Sequence, residues 1–225
     1  MKKTDLQNER FLTAARDYLY LLEGKYPQAS VLKLVGDRFR LSGVERSVLY
    51  RGISIRTESE RRAAKLVAAE SAEGKELHID GFNVLITIGS YLNGNLVFIG
   101  NDGYLRDASE IHGKVFRTQL FDKAILLVFS FLGTISPKAV HFYLDAPVSH
   151  SGELCFKINQ LLAHYGMEGS ATTLKSPDFL LKTITDGIIA TSDSGIIDRC
   201  RVPVVDLPRE IITSQFKKPV SMVTV

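Results

Sequence analysis

The sequence predicts an open, mostly parallel α/β sheet flanked by helices, preceded by a small all-α domain. Three observations carry this. Over residues 1–70 apolar positions recur every three or four residues between helix-capping signals. From Leu77 onward, short β-favouring runs alternate with helical stretches for about 130 residues, the pattern of parallel strands joined by crossover helices. Several of those runs stop in an aspartate, as in ELHID to Asp80, FYLD to Asp145 and ATSD to Asp193. The boundary is drawn at residues 1–72 and 73–225, with SAEGKE (Ser71 to Glu76) as the linker.

Taken in order, Thr4 or Asp5 is the expected cap of a helix with Phe11, Ala15, Tyr18 and Leu22 on one face, ended by Gly24 and Pro27. A second helix near Gln28 to Phe39 places Val31, Leu34 and Val35 together. Ser42 with Glu45 is a capping box, in which each side chain satisfies the other residue's orphan N–H, and it opens a third helix to about Arg51. Thr57 with Glu60 repeats the device for a fourth, through about Glu70. LHID is a strand and NVLITIGSYL the first crossover helix. LVFIGNDGYLRD is a hairpin, because Asn101, Asp102 and Gly103 tolerate positive φ. Thr118 to Leu132 is an apolar helix buried on most sides. AVHFYL, ATTLK, GIIAT and VPVV are strands, with helices from Gly152 to Tyr165, from Pro177 after a Ser176 cap, at SGIIDRC and at PREIIT. The tail from Ser214 is expected to be loosely ordered.

Composition excludes several classes. The chain has 225 residues, 45% hydrophobic and 24% charged, as in an ordinary globular protein. Cys155 and Cys200 show no CxxC spacing, which argues against a zinc site or a disulfide framework and for two buried thiols in a reducing compartment. No run reaches the ~20 apolar residues of a membrane span or the pattern of a signal peptide, so a cytoplasmic protein with no membrane partner is expected. The net charge is +3, unevenly placed: residues 1–70 hold 14 Lys and Arg against 9 Asp and Glu. Arg38, Arg40, Arg46, Arg51, Arg56, Arg61 and Arg62 all lie there. Arginine's planar fork suits phosphate, so the basic part points to a polyanion, with Arg51 and Arg56 as candidate contacts. The interleaved Glu residues equally allow intrahelical ion pairs.

In open parallel sheets, ligands bind outside the carboxyl ends of the strands. Asp80, Asp145, Asp193 and Asp206 are each placed at such an end. Carboxylates gathered on one rim repel unless protons are shared or a cation is bound. An all-oxygen set suits Mg²⁺ or Mn²⁺ rather than zinc, and such an ion can stabilise charge on a phosphoryl oxygen. The competing reading is that each Asp caps the following helix or makes a turn.

DGFNVL (Asp80 to Leu85), FYLDAP (Phe142 to Pro147) and ATSDSGIID (Ala190 to Asp198) resemble the signature strand ends of the NYN branch of PIN-like nucleases. The whole chain also resembles the prokaryotic family known as domain of unknown function 434. Leu34 to Gly52, Gly100 to Asp107 and Leu144 to Leu154 carry that second resemblance. The first implies a PIN-like fold and a metal-dependent ribonuclease, with RNA as partner and Mg²⁺ or Mn²⁺ as cofactor. It implies Asp80, Asp145 and Asp193 as metal ligands and catalytic residues. Asp198 becomes a further catalytic carboxylate, binding directly or through water. Asn83 supports the first ligand or touches a phosphate, and Ser192 donates to a phosphate oxygen. Such nucleases usually carry an acid on a helix before the middle strand. Here that helix offers only Asp122, and Glu153 is the candidate substitute as a metal ligand.

Among the remaining groups, Asp102 reads as a turn residue, Asp178 as a helix N-terminal charge and Asp186 as lying at the wrong end of the sheet. His78 and His141 read as core or edge residues. His150 is the one histidine near the candidate rim, as a substrate contact. No P-loop, dinucleotide fingerprint or nucleophile elbow is present. Two other functions compete with the ribonuclease: a catalytically inactive PIN-like RNA-binding protein, and a small-molecule phosphatase. The last lacks D-x-D, since Ala146 and Pro147 follow Asp145.

Overall fold

The structure is a computed structural model that describes residues 5–108, 119–216 and 220–223. Four helices come first: α1 (Glu9–Glu23), α2 (Gln28–Arg38), α3 (Gly43–Gly52) and α4 (Arg56–Ala63). Asn8 rather than Asp5 caps α1, accepting from the Phe11 N–H at 2.9 Å, while Asp5 accepts from Gln7 in a preceding turn; Thr4 lies outside the described residues. Phe11, Ala14, Ala15 and Tyr18 form its buried stripe. In α2, Val31 and Val35 are buried, but Leu34 points to solvent. The capping box at Ser42 and Glu45 is present. The one expected at Thr57 is not, because α4 starts two residues earlier, with Ile55 at the cap position. There the Glu23 carboxylate of α1 accepts from the Arg56 N–H at 2.6 Å. Nor does α4 reach Glu70: it stops at Ala63, and Leu66–Val67 (β1) pairs with the main sheet.

That sheet has six parallel strands. They are β1, β2 (Glu76–Asp80), β5 (Ala139–Asp145), β6 (Gly169–Leu174), β7 (Ile188–Ala190) and β8 (Val204–Val205), in the order β1-β8-β7-β2-β5-β6. A separate antiparallel hairpin, β3 (Val97–Ile99) with β4 (Leu105–Asp107), is joined by β9 (Ser221–Met222). Within the tail from Ser214, the described residues include the end of α10 and strand β9, more regular than expected. The crossover helices are α5 (Gly81–Leu92), α6 (Gln119–Ile135), α7 (Ser151–His164), α8 (Pro177–Thr183), α9 (Ser194–Ile197) and α10 (Leu207–Phe216). Of the helix expected at Thr118 to Leu132, Thr118 lies outside the described residues.

Strand β5 shows how the sheet is faced. Val140, Phe142 and Leu144 are buried on one side, while His141, Tyr143 and Asp145 alternate onto the other. The first side packs on α5 and α6, with the Phe129 and Phe142 rings stacked 5.9 Å apart. Emptying such a position, as in Phe142→Ala, costs about 3–5 kcal/mol. On α6, Phe121, Ala124, Ile125, Val128, Phe129 and Leu132 follow the helical period inward and Leu126 is exposed.

The helical region packs directly on the hairpin. Phe98 of β3 lies in the helical core with Phe11, Val48 and Leu49. Gly52 permits this approach, since a Cβ there would meet the Phe98 ring at 2.5 Å. Asn101 in the hairpin turn donates to the Ser54 carbonyl at 2.7 Å and accepts from the Ser54 N–H at 3.2 Å. The helices thus form a fixed wall facing the carboxyl ends of the sheet.

Candidate active site at the switch point of the sheet

From β2 the chain crosses to β5 and β6 on one side, then returns to β7 and β8 on the other. The strand order reverses at β2, so the loops leaving β2 and β7 part and leave a crevice at their carboxyl ends. Asp80 is the last residue of β2. Thr191, just past β7, donates its hydroxyl to Asp80 Oδ2 at 2.9 Å. In the first turn of α5, Asn83 Oδ1 accepts from both the N–H (2.9 Å) and the hydroxyl (3.1 Å) of Ser192. Asp193 caps α9, its Oδ1 accepting from the Gly195 N–H at 2.6 Å. Two loops distant in sequence are therefore stitched together by side chains from both.

The electrostatics of this crevice are one-sided. Asp80 is 7% exposed. Burial pushes its carboxyl up to about 7, and the charges of Asp193 and Asp178 push the same way, against the Thr191 hydroxyl and the Asn83 N–H. Asp145, half-buried at the end of β5, is also raised, by burial and by Asp178. Asp178 thus acts on both Asp80 and Asp145. Asp178 itself pairs with Lys182, one helical turn along α8, at 3.3 Å. Read from sequence, it was only a helix N-terminal charge. It lies four residues beyond β6, inside α8, and no strand-end aspartate pattern marks it in the sequence.

The remaining candidates sit elsewhere or are otherwise engaged. Asp198 is held by Arg62 through two hydrogen bonds of 2.8 Å and by Arg61 at 3.1 Å. Burial acts to raise its carboxyl, but the two guanidiniums override it and hold it below its ordinary value. Asp206 is buried and caps α10, accepting from the Arg209 N–H at 3.0 Å and from the Leu105 N–H. Glu153 is exposed on α7 and pairs with His150 at 3.0 Å. Both line a small depression of about 210 Å³ with Asp122; neither lines the main cleft, which the depression adjoins at Phe82. Asp102 is more than a turn residue: it is buried and accepts two 2.7 Å bonds from Arg106. Asp186 lies just before β7, at the opposite end of the strands from Asp80. His78 and His141 stack with ring centroids 5.4 Å apart within the sheet.

The crevice opens into a cleft of about 850 Å³ between the helical wall and the sheet. The sheet side contributes Asn83, Asp145, Ser192 and Asp193; the helical side contributes Lys25, Tyr26, Tyr50 and Arg51. Arg51 donates to the Asp107 carbonyl and carboxylate at 3.2 and 3.3 Å. Arg56 is exposed at the start of α4 and is not among the lining residues.

The donor chemistry fits a hard cation: among the described residues no ion pair within 4 Å joins Asp80, Asp145 or Asp193 to a basic group, while Asp178 has Lys182. The arrangement is not a cage. Among the described residues, no group of three or more His, Cys, Asp or Glu side chains is set to hold a metal ion. Mg²⁺, however, keeps several waters and binds through one or two carboxylates together with substrate phosphate oxygens. A hydrated ion on Asp145 or Asp193, with Asp80 behind, is the form this set can accept.

Two family models match the chain. Residues 69–210 match one described as a domain of unknown function (DUF5616), and residues 10–65 match one described as a protein of unknown function (DUF434). The second resemblance therefore holds for the helical region rather than for the whole chain. An uncharacterized protein of Methanocaldococcus jannaschii is 35% identical over 206 residues, covering 91% of this chain and 98% of its own length. No solved structure matches the chain. Among the described residues, no helix is long and apolar enough to cross a membrane.

Proposed function

We propose that this chain, which belongs to the DUF5616 family, is a metal-dependent ribonuclease with a PIN-like domain, cutting phosphodiester bonds at the switch-point crevice. The observation that carries the reading is electrostatic. Buried Asp80 feels the charges of Asp193 and Asp178, and Asp193 lines a large cleft together with Asp145, so a cation there relieves a repulsion that the fold otherwise maintains. When bound, Mg²⁺ or Mn²⁺ supplies a Lewis acid for the phosphoryl oxygen and an acidified water. The chain's own groups orient and exclude. Asn83 and Thr191 hold the two loops in register, and the helical wall opposite presents cations for phosphates. The phosphatase alternative lacks the D-x-D that an aspartyl-phosphate phosphatase would show, since Ala146 and Pro147 follow Asp145.

The second reading, an RNA-binding protein without catalysis, is favoured by the absence of a three-carboxylate cage among the described residues. Incubation of a mixed RNA pool with Mn²⁺ separates the two. The wild type is expected to cut, and Asp80→Asn and Asp193→Asn to cut about a hundredfold more slowly or less. Equal cutting by wild type and variants removes the nuclease assignment.

A further inference from the structure

The helical wall of the cleft carries a feature that the acid rim does not explain. Tyr26, in the turn between α1 and α2, is 61% exposed, and Tyr50, near the end of α3, is 53% exposed. Both line the same cleft as Asp145 and Asp193. Aromatic rings normally bury much of their area, so two of them facing one cleft call for an occupant with a flat apolar face. The Tyr26 ring packs on the turn itself: a Cβ at Gly24 would lie 3.2 Å from its Cδ2 and Cε2 atoms. Tyr50 is tied to the start of α2, because its carbonyl accepts from Gln28 Nε2 at 3.1 Å. The backbone carrying both rings is therefore anchored. Cations stand beside them. Lys25 adjoins Tyr26 and Arg51 adjoins Tyr50, and both line the cleft. No ion pair within 4 Å joins Lys25 to any described residue.

We infer that Tyr26 and Tyr50 form a stacking platform for a single nucleic-acid strand, with Lys25 and Arg51 on its phosphates. An aromatic face next to a cation, repeated along one wall, matches the two requirements of a single strand: unpaired bases to stack and a phosphate chain to neutralise. A duplex keeps its base faces covered and gains only the cations. That the strand continues toward Asp145 and Asp193 rests on the ribonuclease reading; the platform itself does not.

The test uses the full chain with Asp80→Asn, in EDTA, so that no strand is cut. Fluorescence anisotropy follows a labelled oligouridylate, the matching oligothymidylate and a duplex of the same length. Tyr26→Ala and Tyr50→Ala are each expected to weaken single-strand binding about tenfold, equivalent to about 1.4 kcal/mol, within the range known for base–aromatic stacking. Tyr26→Phe and Tyr50→Phe are expected to bind like the parent, since the ring is kept. Circular dichroism checks that each variant folds. The idea is overturned if the folded double alanine variant binds within twofold of the parent. It is equally overturned if Phe weakens binding as much as Ala, if the duplex binds as tightly as the single strand, or if no strand binds. Cleavage by the wild type combined with tyrosine-independent binding removes the platform and leaves the ribonuclease standing. Tyrosine-dependent binding without any Mn²⁺-dependent cleavage does the reverse.

Discussion

Asp80 and Asp206 make an instructive pair. Each stands at the carboxyl end of a parallel strand, each is buried, and burial pushes each carboxyl up to about 7. Their company differs in sign. Asp206 accepts from the N–H groups of Leu105 and Arg209, and the charges of Arg209 and Arg106 favour its ionised form. Asp80 accepts from the Thr191 hydroxyl, and the charges of Asp193 and Asp178 oppose its ionised form. Burial at a strand end is therefore compatible with a purely structural role. It is the uncompensated like charge next to Asp80, in a crevice open to a cleft, that marks a binding site.

The largest expected effect breaks this pair apart by pH. Both carboxyls have folded-state values raised above the ordinary 3.8. Between about pH 4 and 7 the folded chain keeps protons that the unfolded chain releases. The associated stability is fully present below about pH 4 and is lost as pH rises through 7. For Asp80 the penalty at pH 8 is about 4 kcal/mol. Asp80→Asn removes it and gives up about 1–2 kcal/mol of hydrogen bonding. Urea unfolding is thus expected to show Asp80→Asn more stable than wild type by about 2–3 kcal/mol at pH 8 and no more stable at pH 4. Asp206 carries the same pH-linked penalty, but Asp206→Asn sets a donor against one of its two backbone N–H groups, so it is expected to lose stability at pH 4 and to gain less than Asp80→Asn at pH 8. If both variants respond alike, the distinction between the two sites is wrong. Mn²⁺ is also expected to raise the wild-type Tm at pH 8 and not that of Asp80→Asn.

How much of this was legible in the sequence follows from how far each signal reaches. ELHIDGFN announces its strand, its terminal carboxylate and the helix after it within eight neighbouring residues, and the structure places them so. The acid on α8 was missed for the opposite reason. Asp178 follows a proline at a helix start, and only the placing of β6 next to β5 brings it near Asp145 and Asp80. The two-residue β1 is too short for any periodicity, and its pairing with β8 is long-range. Asp198 sat in a promising motif, five residues beyond Asp193. Its partner Arg62 is 136 residues away, and no local pattern reveals it.

Asp198 gives the intermediate effect. It and Asp193 flank the same short helix α9, but Asp193 faces the cleft and Asp198 faces the arginines of α4. Asp198→Asn leaves the largely buried Arg62 with less compensation, and the loss of charge-assisted hydrogen bonds is expected to cost about 2 kcal/mol. The same variant is expected to cut RNA within about tenfold of wild type, whereas Asp193→Asn is not. A loss of cutting in Asp198→Asn that matches Asp193→Asn, without a loss of stability, would put Asp198 back among the reacting groups.

The smallest effect is expected at Glu153. The side chain is 81% exposed, and its pair with His150 is a surface contact between neighbours on one helix turn. Exposed pairs of this kind contribute well under 1 kcal/mol. Glu153 follows Asp145 by only eight residues, but the turn and first residues of α7 carry it to the small depression beside Asp122 rather than to the cleft lined by Asp145. Glu153→Gln is therefore expected to shift stability by less than about 0.5 kcal/mol and to leave the Mn²⁺ concentration for half-maximal cutting unchanged. The second measurement discriminates: a carboxylate that helps hold the ion raises that concentration when neutralised even if the fold is indifferent to it. A clear rise would move the ion from the crevice beside Asp80 toward α7.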